Sequence, residues 1–202
     1  MTDLFRSASG PKLGRCAMLT ILVGMVVSVG GFAQAQSSPV PEPDKADISP
    51  RGHRTATDIT YGDWRKLCFK ATGSTTVCRT SITGKFDTGQ IAVRVDLIER
   101  EDGRARFQLF LPVGMYLQAG VKLSVDQSSP YPVPYTWCLA NGCVAADVAA
   151  PKLIEEMTSG QTLTLEMVDT NILSLTTSVP LTQFASVHKG APEKTLDQDV
   201  DE

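Results

Sequence analysis

Residues 91–111, IAVRVDLIEREDGRARFQLFL, decide the fold. Apolar residues alternate with polar ones before and after Glu101-Asp102-Gly103, and a period of two is the pattern of a β-strand with one face in solvent. An Asp-Gly pair between two such runs has the turn chemistry of a hairpin tip. The stretch therefore predicts a β-hairpin.

The same period recurs after this hairpin, at residues 121–125, 163–167 and 172–179. Only two segments look helical: 151–160, which begins with a proline suited to a first helical turn and ends at a glycine, and 181–188. Many short strands and few helices indicate an all-β domain. We predict an antiparallel β-sandwich, or a partly open barrel, with one or two short helices.

The first 35 residues have the three parts of a secretory signal peptide. Three basic residues precede an uncharged, largely apolar run over 16–32, and Ala33-Gln34-Ala35 is the small-x-small triplet that a signal peptidase reads. A membrane anchor is the alternative, but it needs roughly 20 apolar residues and the run over 17–29 is shorter. We predict a cleaved signal peptide over 1–35 and no transmembrane span in the mature chain.

The rest of the chain divides by composition. Residues 36–57 are rich in proline, serine and charge, which predicts a flexible tether, and 189–202 end in an acidic run, which predicts a disordered tail. The folded domain is expected over 58–188. Because the leader carries three basic residues against Asp3, its removal changes the formal net charge from -3 to -5. Nucleic acid is therefore not an expected partner.

Loss of the leader also removes Cys16 and leaves four cysteines, an even number that implies disulfides in an exported protein. Four cysteines allow three pairings. Cys138 and Cys143 flank an Asn-Gly tip, and Cys68 and Cys78 flank a short polar loop, so each pair suits neighbouring strands of a hairpin. We predict the local pairing, Cys68 with Cys78 and Cys138 with Cys143.

Two other uses of these cysteines are less consistent with their spacing. Zinc sites favour knuckles of two to four intervening residues, whereas one pair here is separated by nine. No Cys-x-x-Cys motif is present, which argues against thiol–disulfide catalysis. We expect no metal site and no cofactor.

Catalytic equipment is sparse in the sequence. His53 and His188 are the only histidines, and the usual nucleophile, zincin, phosphate-loop and dinucleotide motifs are absent. Acidic residues are numerous, so a hydrolase with two carboxylates about 5 to 10 Å apart stays an alternative. The candidates are Asp63, Asp96, Glu99, Glu155, Glu156 and Asp169. We predict no catalytic residues and a protein that is not an enzyme.

One segment suggests a binding surface. Residues 126–135 hold three alternating prolines and two tyrosines, Tyr131 and Tyr135, and would be stiff and extended. The tyrosines are candidate partner-binding residues. The competing interpretation, which we favour, is an edge connection in which proline blocks strand-to-strand aggregation.

Three motifs together resemble the invasion-associated locus B family of exported bacterial proteins: Tyr61-Gly62-Asp63-Trp64 before Cys68, residues 111–121 (LPVGMYLQAGV), and Tyr135-x-x-Cys138 with Asn141-Gly142-Cys143. The ending Leu181-x-x-Phe184 is similar to that of the family. The resemblance covers the domain from about Tyr61 to Val187. It implies a periplasmic or outer-surface β-sandwich, associated in some bacteria with host-cell invasion, and it supplies no catalytic residues.

These observations favour a non-enzymatic binding module of the cell envelope, periplasmic, secreted or at the outer surface. Its partner is expected to be an envelope or host-surface protein or glycan, contacted through loops of a rigid scaffold. Two alternatives stay open: the carboxylate hydrolase acting on an envelope polymer, and a structural or stress-protective periplasmic component.

Overall fold

A computed structural model describes residues 48–71, 73 and 75–198. The chain divides into two units, residues 1–42 and 43–202, and only the second contains described residues. The predicted signal peptide over 1–35 lies outside them, as does the first half of the predicted tether. Within the described part, no helix is both long and apolar enough to cross a bilayer.

The secondary structure consists mainly of short strands. In chain order the strands are β1 (Gly52–Thr55), β2 (Ile59–Tyr61), β3 (Arg65–Ala71), β4 (Val77–Phe86), β5 (Ile91–Arg100), β6 (Ala105–Leu111), β7 (Val121–Val125), β8 (Tyr131–Val133), β9 (Tyr135–Leu139), β10 (Gly142–Val148), β11 (Thr162–Val168), β12 (Leu173–Pro180) and β13 (Lys194–Gln198). The helices are α1 (Pro151–Ser159) and α2 (Phe184–Lys189), with one 3-10 turn at Leu117–Ala119.

These strands form two sheets. The smaller has the order β1-β12-β11-β7-β8, and the larger has the order β13-β3-β4-β5-β6-β10-β9, with β2 also paired to β4. Neighbours are antiparallel except β1 with β12 and β13 with β3, which run parallel. One apolar core lies between the sheets, so the predicted all-β sandwich with short helices is confirmed.

The core follows from the period-two alternation. On the larger sheet Val95 pairs with Leu109 and Leu97 pairs with Phe107, and these four side chains are buried. Leu123 and Leu165, paired in the smaller sheet, are buried in the same cluster. Alternate residues of a strand point to opposite faces, so every second residue of these strands adds apolar area to one interior.

The predicted hairpin of residues 91–111 is confirmed as β5 and β6. Its tip is closed by Gly103, whose N–H donates to the Arg100 carbonyl at 2.9 Å and whose φ is +82°. A positive φ is easily adopted only by glycine, so this residue fixes the turn. The Asp102 carboxylate, between Arg100 and Arg104, accepts the Arg104 N–H at 3.1 Å.

Helix α1 also begins and ends where the sequence predicts. Pro151 occupies its first turn, and the Gly160 N–H closes it on the Glu156 carbonyl at 2.7 Å. Leu153 and Met157, one turn apart, are buried in the core. The helix therefore adds an apolar stripe to the sandwich.

Trp64 joins the beginning of the domain to its end. The indole is 4% exposed and lies edge-on to Phe184 of α2, with ring centroids 4.9 Å apart. Its Nε1–H donates to the carbonyl of Pro180, the last residue of β12, at 2.7 Å. Gln183 accepts the Trp64 main-chain N–H and donates to Asp63. We call Trp64, Pro180, Gln183 and Phe184 the Trp64 clasp; it ties the larger sheet to the smaller one.

The predicted tether is wrong for Gly52–Thr55. These residues form β1, which pairs in parallel with Leu173–Thr176 although all four side chains are exposed. The Arg51 N–H donates to the Ile172 carbonyl and the Ala56 N–H to that of Thr176, both at 2.8 Å. Main-chain hydrogen bonds hold this edge strand, so it needs no apolar residues of its own.

The predicted disordered tail is wrong for Lys194–Gln198, which forms β13 beside Leu67–Ala71 of β3. Glu193 anchors its start, because its carboxylate accepts hydrogen bonds from Arg65 at 2.6 and 2.9 Å. Helix α2 also runs to Lys189, one residue past the expected domain boundary. Residues 199–202 lie outside the described part.

The structure brings the cysteines together in local pairs. Cys68 bonds to Cys78, with Sγ atoms 1.96 Å apart, and Cys138 bonds to Cys143, with Sγ atoms 2.04 Å apart. Each pair occupies directly opposite positions on neighbouring antiparallel strands, β3 with β4 and β9 with β10. The two bonds therefore staple hairpins within the larger sheet.

Replacing Trp64 with phenylalanine is expected to lower the free energy of unfolding by about 1–3 kcal/mol, because the hydrogen bond to the Pro180 carbonyl is lost and the smaller ring leaves space where the buried indole packed. Trp137→Phe, at the exposed second tryptophan, serves as the matched control and should change stability by less than about 0.5 kcal/mol. Urea unfolding followed by circular dichroism measures both. Equal losses in the two variants would contradict a special role for the clasp.

Removing the disulfides should destabilise the domain unequally. Cys68 and Cys78 are 10 residues apart and Cys138 and Cys143 are 5 apart. Loop-closure entropy then predicts losses of about 3 kcal/mol for Cys68→Ala/Cys78→Ala and about 2 kcal/mol for Cys138→Ala/Cys143→Ala. Urea denaturation of the two double variants measures which loses more free energy of unfolding. A larger loss for Cys138→Ala/Cys143→Ala would show that loop-closure entropy does not determine the contribution of these disulfides.

Candidate functional site

The outer face of the larger sheet, which points away from the core, is the candidate site. Alternation along β4, β5 and β6 directs Arg79, Arg94 and Arg106 to this side, while Val95, Leu97 and Phe107 point inward. Arg79 and Arg106 both lie opposite Ile98 of the strand between them. The sheet thus presents cationic side chains from three neighbouring strands, and we call this surface the arginine face.

A buried carboxylate lies in the middle of the arginine face. Asp96 has no exposed surface, and its Oδ2 accepts a hydrogen bond from Arg94 Nε at 3.0 Å. Burial raises the pKa of the Asp96 carboxyl, and the nearby guanidinium groups of Arg94 and Arg79 offset part of that rise. Asp96 acts from beneath as an anchor for the Arg94 side chain.

Aromatic rings support two of the arginines. The Cζ atom of Arg94 lies 5.6 Å from the centroid of Phe110, and that of Arg79 lies 5.8 Å from the centroid of Phe69. A guanidinium over a ring at this distance gains cation–π attraction. These two side chains are consequently held in place before any partner arrives.

A groove of about 740 Å³ extends the arginine face toward the hairpin tip. Val77, Ile98 and Ala146 line it with apolar surface, and Val148, 79% exposed, lies at its side. Its charged lining residues are Arg100, Arg104, Arg106 and Asp147. Asp102 pairs with Arg100 and Arg104, whereas Arg106 has no ion pair among the described residues.

The end of the larger sheet adds apolar groups to this face. Trp137 and Leu139 of β9 are 49% and 58% exposed. Trp137 pairs with Val144 but Tyr135 pairs with Ala145, so Thr136 is an extra residue and forms a β-bulge. The bulge reverses the alternation and turns Trp137 outward. Thr136 Oγ1 donates to the Val144 carbonyl at 3.1 Å, which satisfies an acceptor beside the bulge.

The two tyrosines proposed from the sequence are partly buried and pack against the core cluster. Burial raises the pKa of Tyr135, and burial together with the Glu156 carboxylate raises the pKa of Tyr131. Tyr131 lies in the last strand of the smaller sheet and Tyr135 in the last strand of the larger one. Residues 131–135 therefore cross between sheet edges, as in the edge-connection interpretation, and the exposed aromatic group nearby is Trp137.

The acidic residues considered for catalysis mostly have structural partners. Asp63 accepts from Gln183, both Glu99 oxygens lie 3.0 Å from His188 Nε2, and the Asp169 carboxylate accepts the N–H groups of Asn171 and Leu173. Glu156 lies 3.7 Å from Lys152, and Glu155 is exposed on α1. His53 is exposed on β1. Among the described residues, no three His, Cys, Asp or Glu side chains cluster as a metal site would require.

Sequence reasoning missed the arginine face and Trp137. The arginines lie at the polar positions of strands in which polar and apolar residues alternate, and the sequence pattern indicates only that these positions face solvent. A signal was present, because three neighbouring strands each carry an arginine within a chain of net charge -3. The outward turn of Trp137 had no signal in the sequence, since the bulge is defined by pairing with β10.

Asp96→Asn is expected to make stability less dependent on pH. Because the folded pKa of Asp96 lies above the reference value of 3.8, the native state binds more protons than the unfolded chain between the two values. The wild-type free energy of unfolding therefore loses a contribution as pH rises above about 3.8. The amide introduced by the substitution cannot ionise. Urea titrations should therefore show that the free energy of unfolding of Asp96→Asn rises relative to that of the wild type as the pH increases from acid to neutral. A relative free energy of unfolding that falls over this range would contradict the prediction.

The chain is similar to curated relatives from two strains of Brucella abortus, each named as an invasion protein B homolog. Both are 26% identical to it over 109 residues, which is 54% of this chain. The match spans 63% of the length of those relatives.

The fold is similar to a solved structure, that of invasion associated protein B from Bartonella henselae. The TM-score is 0.57 at 23% sequence identity, and the match covers 64% of this chain and 90% of the Bartonella chain. At this identity the likeness concerns the fold alone.

The family model described as invasion associated locus B protein matches residues 64–192. That range begins at Trp64 and includes both disulfides, the arginine face and α2. It covers more than half of the sequence, and the motifs that suggested the family lie within or beside it. The chain belongs to the invasion associated locus B (IalB) family.

Proposed function

We propose that this protein is an exported component of the bacterial envelope that binds an acidic protein partner through the arginine face, without catalysis. The observation that supports this most directly is that the Arg94 guanidinium lies over the Phe110 ring and donates a hydrogen bond to the buried Asp96 carboxylate. Arginine and tryptophan are enriched among the residues that dominate binding energy at protein interfaces. A preorganised guanidinium loses little side-chain entropy when it binds.

The charge distribution supports an acidic partner. The whole chain carries a formal net charge of -3, yet Arg79, Arg94, Arg100, Arg104 and Arg106 are gathered on or beside one face. Complementary charge steers association and excludes like-charged competitors. The apolar floor of the groove, with Ile98 and Ala146, adds area that a partner side chain can bury.

The proposed location is the periplasm or the outer surface. Two disulfides are typical of proteins that fold in an oxidising compartment. The relatives in Brucella abortus are named for invasion. We therefore include host-cell invasion, or an envelope function that supports it, in the proposed role.

Photocrosslinking in intact envelopes tests the binding face. A photoreactive residue replaces Val148 beside the groove, and a control replaces Lys122, exposed on the outer face of the smaller sheet. We expect a discrete adduct from Val148 and none from Lys122. Arg106→Glu should reduce the adduct by roughly tenfold, since one reversed charge costs at least about 1.4 kcal/mol at a complementary interface.

Mass spectrometry of the protease-digested adduct identifies the partner class, because a crosslinked peptide foreign to this chain is expected for a protein partner and a sugar attached to the photoreactive peptide would indicate a glycan. Adducts of equal yield from both positions would refute the arginine face as the binding site. In the producing bacterium, Arg106→Glu should reduce host-cell invasion while detergent sensitivity stays normal. Increased detergent sensitivity instead would favour the structural, stress-protective role.

A further inference from the structure

The free edges of the two sheets differ in how well they are protected against pairing with another strand. An exposed edge strand offers unpaired N–H and C=O groups, and natural proteins block such edges with charge, proline or short length. The outermost strand β1 carries Arg54, and β13 carries Lys194 and Asp197. Strand β8 is three residues long with Pro132 at its centre, and β2 is also three residues long.

Strand β9 lacks these protections. Its sequence, Tyr135-Thr136-Trp137-Cys138-Leu139, contains no charge and no proline, and the last four residues are exposed. It is the final strand of the larger sheet, paired only with β10 among the described strands. The bulge at Thr136 distorts its start and leaves Trp137–Leu139 in regular register with β10. This edge is open to a further strand.

The residues of β9 suit a second copy of the same strand. Antiparallel pairing around a two-fold axis at Cys138 places Trp137 of one copy opposite Leu139 of the other, and the reverse, so the contact is self-complementary. Aromatic and aliphatic residues directly opposite each other stabilise a sheet. Thr136 falls opposite Ala140, so no like charges meet although the chain has a net charge of -3.

We propose that β9 is a self-association edge: two copies of this chain pair through β9 and join their larger sheets into one continuous sheet across a two-fold axis. The contact area is small, because Trp137 and Leu139 are its main apolar residues. The dimer therefore forms reversibly, in the concentration range typical of weak interfaces. This inference does not rest on the proposed partner of the arginine face, although Trp137 borders both surfaces.

Sedimentation velocity of the mature wild-type chain, from about 1 μM to about 1 mM, tests self-association. We expect a reversible monomer–dimer equilibrium. Trp137→Lys and Leu139→Glu, each placing a charge opposite an apolar side chain, should weaken the dimer by about tenfold or more. Val148→Lys is the matched control, since Val148 is an exposed apolar residue of the same face outside β9, and its dimer should be unchanged.

The double variant Trp137→Lys/Leu139→Glu tests the register. In the proposed pairing each lysine faces a glutamate of the other copy, so the double variant should dimerise more tightly than either single variant. Circular dichroism and urea midpoints verify that all variants are folded. A wild-type chain that stays monomeric over the whole concentration range, or a dimer unaffected by both single substitutions, overturns the proposal. A double variant that dimerises more weakly than both single variants overturns the proposed register.

Discussion

The buried indole of Trp64 is the contact on which the rest of the domain depends. It lies just before β3 of the larger sheet, donates to the final carbonyl of β12 in the smaller sheet, and packs on Phe184 at the start of α2. Two sheets packed through apolar side chains can slide, whereas a directed hydrogen bond with an aromatic contact fixes their relation. Helix α2 then carries His188 to Glu99 and leads the chain to β13.

The same constraint explains why a rigid surface forms on the larger sheet. With its inner side fixed against the core, β5 presents Arg94 and Asp96 outward at a constant spacing, and cross-strand register places Phe110 directly opposite Arg94. Burying Asp96 is unfavourable, which is the cause of its raised pKa. Because burying this carboxylate costs folding free energy, its position is consistent with a role in orienting arginines rather than in stabilising the fold.

Periodicity in the sequence was sufficient to predict the inward faces of β5, β6, β7 and β11. In each of these strands the core-facing residues recur at every second position, and this pattern is visible without knowing which strand pairs with which. It was insufficient for β1 and β13, which are held by main-chain bonds to strands more than a hundred residues away in the chain. The bulge at Thr136 was hidden for a related reason, since an extra residue exists only relative to β10. A single sequence therefore predicts which residues of a strand face the core, but it does not predict how distant strands pair.

The disulfide arrangement has a consequence for biogenesis. Each bond joins two cysteines that follow one another in the series Cys68, Cys78, Cys138 and Cys143, so neither loop encloses a cysteine of the other. If the chain is exported as proposed, with its N-terminal part leaving the translocation pore first, Cys68 and Cys78 can be oxidised before Cys138 and Cys143 emerge. On that route an oxidant alone gives the local pairing, and no rearrangement of disulfides by an isomerase is required.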